Sequence, residues 1–136
     1  ELIDIQCKEV IDREKLDYEV LDFPQEKEYY FNVSYDLAQK IFKEFTGLNE
    51  HKKPQKHDSR RFIYTSNSCI SMIHFLWRQN KLNVSASLRS SNVSKTLWAD
   101  YEFLKILSVR AAKEMSLPED IEINLTVNIR SAHIVP

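Results

Sequence analysis

The most constraining feature of this sequence is a run near its C-terminus in which apolar and polar residues alternate without a break. Single polar or charged residues separate Ile121, Ile123, Leu125, Val127 and Ile129. Successive side chains of a β-strand point to opposite faces, so this run predicts a strand with one buried and one wet face. Such a strand belongs to a sheet that has apolar cover on one side.

Five further runs predict the other strands of the sheet. Residues 70–77 and 82–88 are rich in β-forming residues, and the polar stretch 78–81 between them is typical of a hairpin. The short run 62–64 follows the polar, basic segment 51–59, which predicts an exposed loop that leads into a strand. Residues 18–23 and 29–33 alternate well enough to predict two more strands.

Two segments carry helical periodicity. Residues 35–46 predict a helix, with Ser34 as its N-cap and Gly47 just past its end. Residues 97–115 predict a long amphipathic helix whose apolar face consists of Leu97, Tyr101, Leu104, Leu107, Ala111 and Met115. The predicted fold class is therefore α+β, a single domain over residues 1–136 in which helices pack on one face of a mostly antiparallel sheet.

Composition excludes several classes of function. Nineteen basic and 20 acidic residues give a net charge of −1, so nucleic acid and anionic membranes are not expected partners. No apolar run approaches the roughly 20 residues needed to cross a bilayer, and we expect a soluble cytoplasmic protein. The two cysteines are expected to be free thiols. A single glycine excludes a glycine-rich phosphate loop, and the sequence predicts no metal site.

Four local features lie at the ends of predicted strands: Arg60-Arg61, Cys69, the segment 89–92 and Ala132-His133. Arginine forks and a serine hydroxyl could bind a phosphate, and a thiol close to such cations would have its thiolate favoured. Each feature also has a plainer interpretation: solvated arginines, a small buried cysteine and a hydrogen-bonded histidine.

The spacing of these features is similar to that of a known family. His74 and Phe75 stand five and six residues after Cys69, Arg89 stands twenty after it and Asp100 thirty-one after it. Ser59-Arg60-Arg61-Phe62-Ile63 precedes them and Ser131-Ala132-His133-Ile134 follows. Over about residues 59–134 this order resembles the thymidylate synthase and deoxycytidylate hydroxymethylase family, whereas residues 1–58 form a divergent N-terminal part. The resemblance implies the α+β fold of that family.

The resemblance also implies a reaction and its cofactor. Cys69 would add to C6 of a pyrimidine deoxynucleoside monophosphate, and C5 would then attack a one-carbon unit from 5,10-methylenetetrahydrofolate. Arg89 and Ser90 would bind the 5′-phosphate. Asn92 stands at the position of an aspartate that helps to hold the ring, and His133 would contact the sugar 3′-hydroxyl.

The arginine pair implies a second chain. In this family the equivalents of Arg60 and Arg61 bind the phosphate in the partner subunit of a back-to-back dimer, so the resemblance implies a homodimer. The sequence given stops just after the histidine motif, before any counterpart of the family segment that closes over folate. We therefore expect a folate-dependent step to be slow or to need association with another chain.

Asp100 stands where most of the family has an asparagine that pairs with uracil, and the deoxycytidylate hydroxymethylase branch has aspartate there. A carboxylate accepts a hydrogen bond from the exocyclic amine of cytosine, so the residue favours dCMP over dUMP as substrate. The branch implies a phage or virus that modifies its own DNA precursors, and hence the host cytoplasm. The alternative is that Asp100 caps the predicted helix.

Three hypotheses for function follow. The first is a transferase of this family that adds a one-carbon unit to C5, a methyltransferase or hydroxymethyltransferase. The second is a catalytically degenerate protein of the same fold that binds nucleotide or acts as a structural subunit, which departures at Ile70, Leu88 and Val135 keep open. The third is an unrelated small α+β domain.

Overall fold

A computed structural model describes residues 3–24, 26–41, 43, 62–66, 69–89, 91–92 and 97–133, with the backbone alone for 3–5, 91–92 and 131–133. Two 3-10 helices, Arg13–Lys15 and Tyr18–Asp22, lie near the N-terminus. The strands and α-helices, in chain order, are β1 (Ile3–Val10), α1 (Lys27–Ile41), β2 (Ile63–Thr65), β3 (Ile70–Arg78), β4 (Lys81–Leu88), β5 (Ser91–Asn92), α2 (Leu97–Glu114) and β6 (Glu122–His133). The predicted α+β class is confirmed.

The strands form one mixed sheet in the order β1-β6-β4-β3-β2, and the two-residue strand β5 pairs with β6 beyond the end of β4. The pairs β1–β6, β2–β3 and β3–β4 are antiparallel, whereas β4 and β5 run parallel to β6. The sheet is therefore mostly antiparallel, as predicted. The alternating run from Ile121 to Ile129 lies in β6, apart from Ile121 directly before the strand, and all five of its apolar side chains are buried.

The described helices cover one face of this sheet. Helix α2 contacts β4 and β6 and packs against α1. Along β4 the buried residues Leu82, Val84, Ala86 and Leu88 alternate with the half-buried residues between them. A sheet with one wet face requires this alternation. Neither described helix is long and apolar enough to cross a membrane.

Two N-terminal predictions are wrong. Residues 18–22 form a 3-10 helix whose first turn is capped by the Asp17 carboxylate, and residues 29–33 lie inside α1 rather than in a strand. Helix α1 starts at Lys27, so Ser34 lies within it and is not its N-cap. Residues at helical spacing, Tyr30, Val33, Leu37 and Ile41, are all buried. This 3.6-residue period determines that the segment is helical, whereas the local alternation of residues 29–33 had predicted a strand.

The other predicted elements agree with the structure or lie beyond its description. The hairpin of β3 and β4 turns through Gln79 and Asn80, and α2 and β6 cover the predicted helix and strand. Strand β1, which pairs with β6, was not predicted. Gly47 and the predicted loop 51–59 lie outside the described residues.

Candidate functional site

The topology brings several predicted site residues to one end of the sheet. Because β4 and β6 are parallel and β3 runs the other way, the start of β3 lies beside the ends of β4 and β6. Cys69 directly precedes β3, and Arg89 directly follows β4. The backbone N–H of Arg89 donates to the carbonyl oxygen of Cys69 at 2.8 Å. The predicted nucleophile and the predicted phosphate-binding arginine are therefore neighbours.

Strand β5 adds two more predicted residues to this end. Asn92 and His133 are paired across the β5–β6 ladder, and Ser91 is paired with Ala132. The chain after Arg89 thus runs beside the histidine motif, although the two motifs are far apart in sequence. Arg60, Arg61 and Ser90 lie outside the described residues.

Cys69 and Cys7 are both free thiols, and Cys69 is exposed whereas Cys7 is half-buried. Partial burial raises the pKa of the Cys69 thiol, the negative charges of Asp100 and Glu26 raise it further, and Arg89 lowers it by less. The prediction that the surroundings of this thiol favour its thiolate is therefore wrong in sign. Reaction at Cys69 requires removal of the thiol proton by a base or by higher pH.

Asp100 is the main buried carboxylate of the site. It lies in the first turn of α2 with only 6 % of its surface exposed, and the hydroxyl of Tyr30 donates to its Oδ1 at 2.7 Å. Helix α2 already begins at Leu97, and no described backbone N–H donates to the Asp100 carboxylate. The helix-cap alternative for Asp100 is therefore wrong.

The environment of Asp100 brings its ionisation close to neutral pH. Burial raises the pKa of Asp100 to about 6, the hydrogen bond from Tyr30 opposes that rise, and the charge of Glu26 adds to it. The pKa of Tyr30 is raised by burial and then by its hydrogen bond to Asp100. A carboxyl group with such a pKa can act as a proton carrier near physiological pH, which is typical of functional sites.

Three site residues were missed in the sequence. Glu26 precedes α1, burial raises its pKa, and its carboxylate makes no hydrogen bond or ion pair with the described residues. The Tyr29 hydroxyl accepts from the backbone N–H of Ile70 at 2.8 Å, which fixes α1 against the start of β3. Tyr30 holds Asp100. The helical spacing of Tyr30, Val33, Leu37 and Ile41 was the signal that could have placed Tyr30 on the buried face of a helix.

The comparisons with known proteins add no relative: no family model matches the chain, and no curated protein matches it. Among the residues with described placement, no three His, Cys, Asp or Glu side chains lie together in a way that could hold a metal ion. The candidate site thus consists of a thiol, an arginine, two carboxyl groups and two tyrosines.

The buried charge of Asp100 predicts a stabilising substitution at this site. The pKa is about 6 in the folded chain and 3.8 ordinarily, so the folded state binds the proton more tightly than the unfolded state. The resulting destabilisation is absent below pH 3.8, grows between the two values and is complete above about pH 6. Asp100→Asn keeps an acceptor for Tyr30 and removes the charge, so it should stabilise the chain by about 1 to 3 kcal/mol at neutral pH.

Urea unfolding at a series of pH values checks this expectation. The matched control is Asp22→Asn, because the Asp22 side chain is 77 % exposed and, among the described residues, pairs only with an exposed lysine. A gain for Asp100→Asn that fades as the pH falls toward 4, with no such trend for the control, is the expected result. A loss of stability that is the same at every pH would contradict it.

Proposed function

We propose that the chain is a thymidylate synthase-like protein that binds a pyrimidine deoxynucleoside monophosphate at the sheet end formed by Cys69, Arg89 and Asp100. The substrate is dCMP in preference to dUMP. One observation carries the proposal: the buried carboxylate of Asp100 accepts one hydrogen bond, from Tyr30, and has an oxygen without a partner among the described residues. Its charge also raises the pKa of the exposed Cys69 thiol. Buried polar groups are almost always satisfied, so an unfilled one points to a ligand.

The proposed chemistry begins at the thiol. Once deprotonated, Sγ of Cys69 donates its electron pair to C6 of the ring, the C5–C6 double bond opens, and the electron pair at C5 becomes nucleophilic. C5 then takes up an electrophile or a proton. Loss of the original C5 hydrogen as a proton restores the double bond and expels the thiolate. Glu26, a half-buried carboxyl group that interacts with Cys69, is the described group best placed to exchange these protons.

The resemblance implies that methylenetetrahydrofolate supplies the one-carbon unit. The described residues around Cys69 do not fit a folate site, because the Tyr29 and Tyr30 hydroxyls are already bound within the protein and Asp100 is assigned to the ring. The proposed chemistry therefore contains no step on folate. Exchange of the C5 hydrogen with water requires the nucleotide, the Cys69 thiolate and a group that exchanges protons, and it requires no folate.

A second candidate function is nucleotide binding without transfer, as a degenerate member of the same fold. The observation that favours it is the raised pKa of Cys69, which keeps the thiol protonated near neutral pH. The two candidate functions share the nucleotide site and differ in whether the C5 hydrogen of the bound nucleotide exchanges with water. Binding of dCMP without exchange of its C5 hydrogen supports the second candidate.

Removal of the Arg89 guanidinium tests the phosphate contact. Arg89→Ala is expected to weaken dCMP binding by about 1.5 to 3 kcal/mol, which is typical of hydrogen bonds to charged groups. The backbone hydrogen bond between residue 89 and Cys69 does not depend on this side chain. Calorimetric titration with dCMP measures the loss.

The control for Arg89→Ala is Arg78→Ala, since Arg78 is also exposed and lies at the other end of β3. The control should bind dCMP as the unaltered chain does. Equal affinities of all three proteins for dCMP would show that no phosphate is bound at Arg89.

We also propose that the chain forms a homodimer through the wet face of the sheet. On this face β4 and β6 present small, half-buried polar side chains such as Ser85 and Thr126, which suit close packing against a second sheet. Sedimentation analysis should detect a dimer, and Ser85→Arg should convert it to a monomer because a bulky charge would be desolvated at its centre. A monomer at every concentration of the unaltered chain would contradict this proposal.

A further inference from the structure

The carboxylate of Asp100 has one oxygen in use and one without a hydrogen-bond partner among the described residues. Oδ1 accepts from the Tyr30 hydroxyl at 2.7 Å, and no other side chain or backbone group in the described part of the chain donates to either oxygen. An ionised carboxylate offers about four lone-pair sites, and burial removes water from most of them. Oδ2 is therefore the acceptor that a ligand would complete.

Tyr30 itself has little freedom to move. Its side chain is 1 % exposed, and its ring stacks on Phe103 with the centroids 4.2 Å apart and the planes 14° from parallel. The neighbouring ring of Tyr29 lies 5.8 Å away, and its hydroxyl is tied to the backbone of Ile70. The hydroxyl of Tyr30 is thus held toward Asp100 by rigid packing on both sides.

We propose that Tyr30 is a specificity-determining positioning residue: by occupying Oδ1 it orients the Asp100 carboxylate and presents Oδ2 as an acceptor for the exocyclic amine of an aminopyrimidine. A ketopyrimidine presents a carbonyl oxygen at the same ring position, and two acceptors facing each other repel. This inference rests on the proposed function, because it names the group that selects the base at the same site.

The hydrogen bond from Tyr30 to Asp100 has a second effect that also favours dCMP over dUMP. It stabilises the ionised form of Asp100 and so lowers the pKa that burial and Glu26 raise. A protonated Asp100 would carry an O–H and could donate to the carbonyl of uracil, so loss of the Tyr30 hydroxyl would favour dUMP. The described groups that change the pKa of Asp100 are Tyr30 in α1 and Glu26 in the turn before α1. The charge of Asp100 in turn raises the pKa of Cys69, which precedes β3.

The test is the ratio of dCMP affinity to dUMP affinity, measured by calorimetric titration from pH 5 to pH 8, a range that covers the ordinary working window of such a carboxyl group. In the unaltered chain the ratio should rise with pH as Asp100 ionises. Tyr30→Phe keeps the stacked ring and removes one oxygen, so the ratio at neutral pH should fall about tenfold and its rise should move to higher pH. Tyr101→Phe also removes a hydroxyl that donates to a carboxylate, that of Glu9 outside the site, and should leave the ratio unchanged.

Circular dichroism verifies that each variant is folded. If Tyr30→Phe does not fold, replacement of Tyr30 with a fluorinated tyrosine, a stronger donor, supplies the readout, and the rise should then move to lower pH. A dCMP preference and pH profile that are the same in the unaltered chain and in the Tyr30 variant would overturn the inference and leave the proposed function standing. Failure of the unaltered chain to bind either nucleotide would overturn both.

Discussion

Phe103→Ala is expected to lower the free energy of unfolding by about 3 to 5 kcal/mol, the range found when a buried phenylalanine is truncated. Phe103 is 1 % exposed, lies on the inner face of α2 and stacks on Tyr30 of α1. The substitution removes the ring stacking between α1 and α2 and leaves a cavity that rigid neighbours cannot fill. A domain of this size is stable by only about 5 to 15 kcal/mol, so the loss is a large share of the total.

Urea unfolding followed by circular dichroism measures this effect. The matched control is Phe31→Ala, because Phe31 is 66 % exposed on the outer side of α1. The control should lose less than about 1 kcal/mol. Similar losses for the two variants would contradict the assignment of Phe103 to the core between the helices.

The elements that could be predicted from the sequence are those whose own periodicity agrees with their burial. Strand β6 alternates because one face is covered by helix and the other is not, and α2 carries its apolar face over five turns. The hairpin of β3 and β4 pairs residues that are close in sequence, so its turn and its two runs indicate it together.

The N-terminal elements were harder to predict from the sequence, because their structure depends on contacts with distant parts of the chain. Strand β1 has charged and apolar residues in an irregular pattern, and its place in the sheet depends on pairing with β6, more than 100 residues away. In α1 the adjacent aromatic residues Tyr29, Tyr30 and Phe31 have strong strand propensity, and only packing of Tyr30 and Leu37 against the core decides in favour of helix.

The site shows the same division. Cys69, Arg89 and Asp100 were predicted as site residues from the family resemblance, and the structure places Cys69 beside Arg89 and Asn92 beside His133. The contact between Tyr30 and Asp100 joins residues 70 positions apart on two helices, and no local pattern reports such a pair. The sign of the Cys69 pKa shift was missed for the same reason, because it depends on the carboxyl groups of Asp100 and Glu26.

Cys69→Ser should abolish exchange of the C5 hydrogen of dCMP with water. A serine hydroxyl is a far weaker nucleophile than a thiolate, so the rate should fall about 1000-fold or more, to the level of the solution without protein. Because the pKa of Cys69 is raised, the rate in the unaltered chain should increase with pH above neutrality as the thiolate forms. Binding of dCMP should be little changed, since the substitution leaves Arg89 and Asp100 intact.

The matched control for the nucleophile is Cys7→Ser, since Cys7 is the other free cysteine and lies in β1, outside the site. It should exchange the C5 hydrogen at the rate of the unaltered chain. Equal loss of exchange in both variants would indicate a general effect of cysteine replacement on the fold.

The most direct measurement of the central claim is release of tritium into water from dCMP labelled at C5, compared among the unaltered chain, Cys69→Ser and Cys7→Ser. We expect release of tritium by the unaltered chain and by Cys7→Ser, and none above background by Cys69→Ser. Release that survives the loss of Cys69 would contradict the role of Cys69 as the nucleophile. So would an unaltered chain that binds dCMP tightly and releases no tritium, and this second result would leave a nucleotide-binding protein without the transfer chemistry.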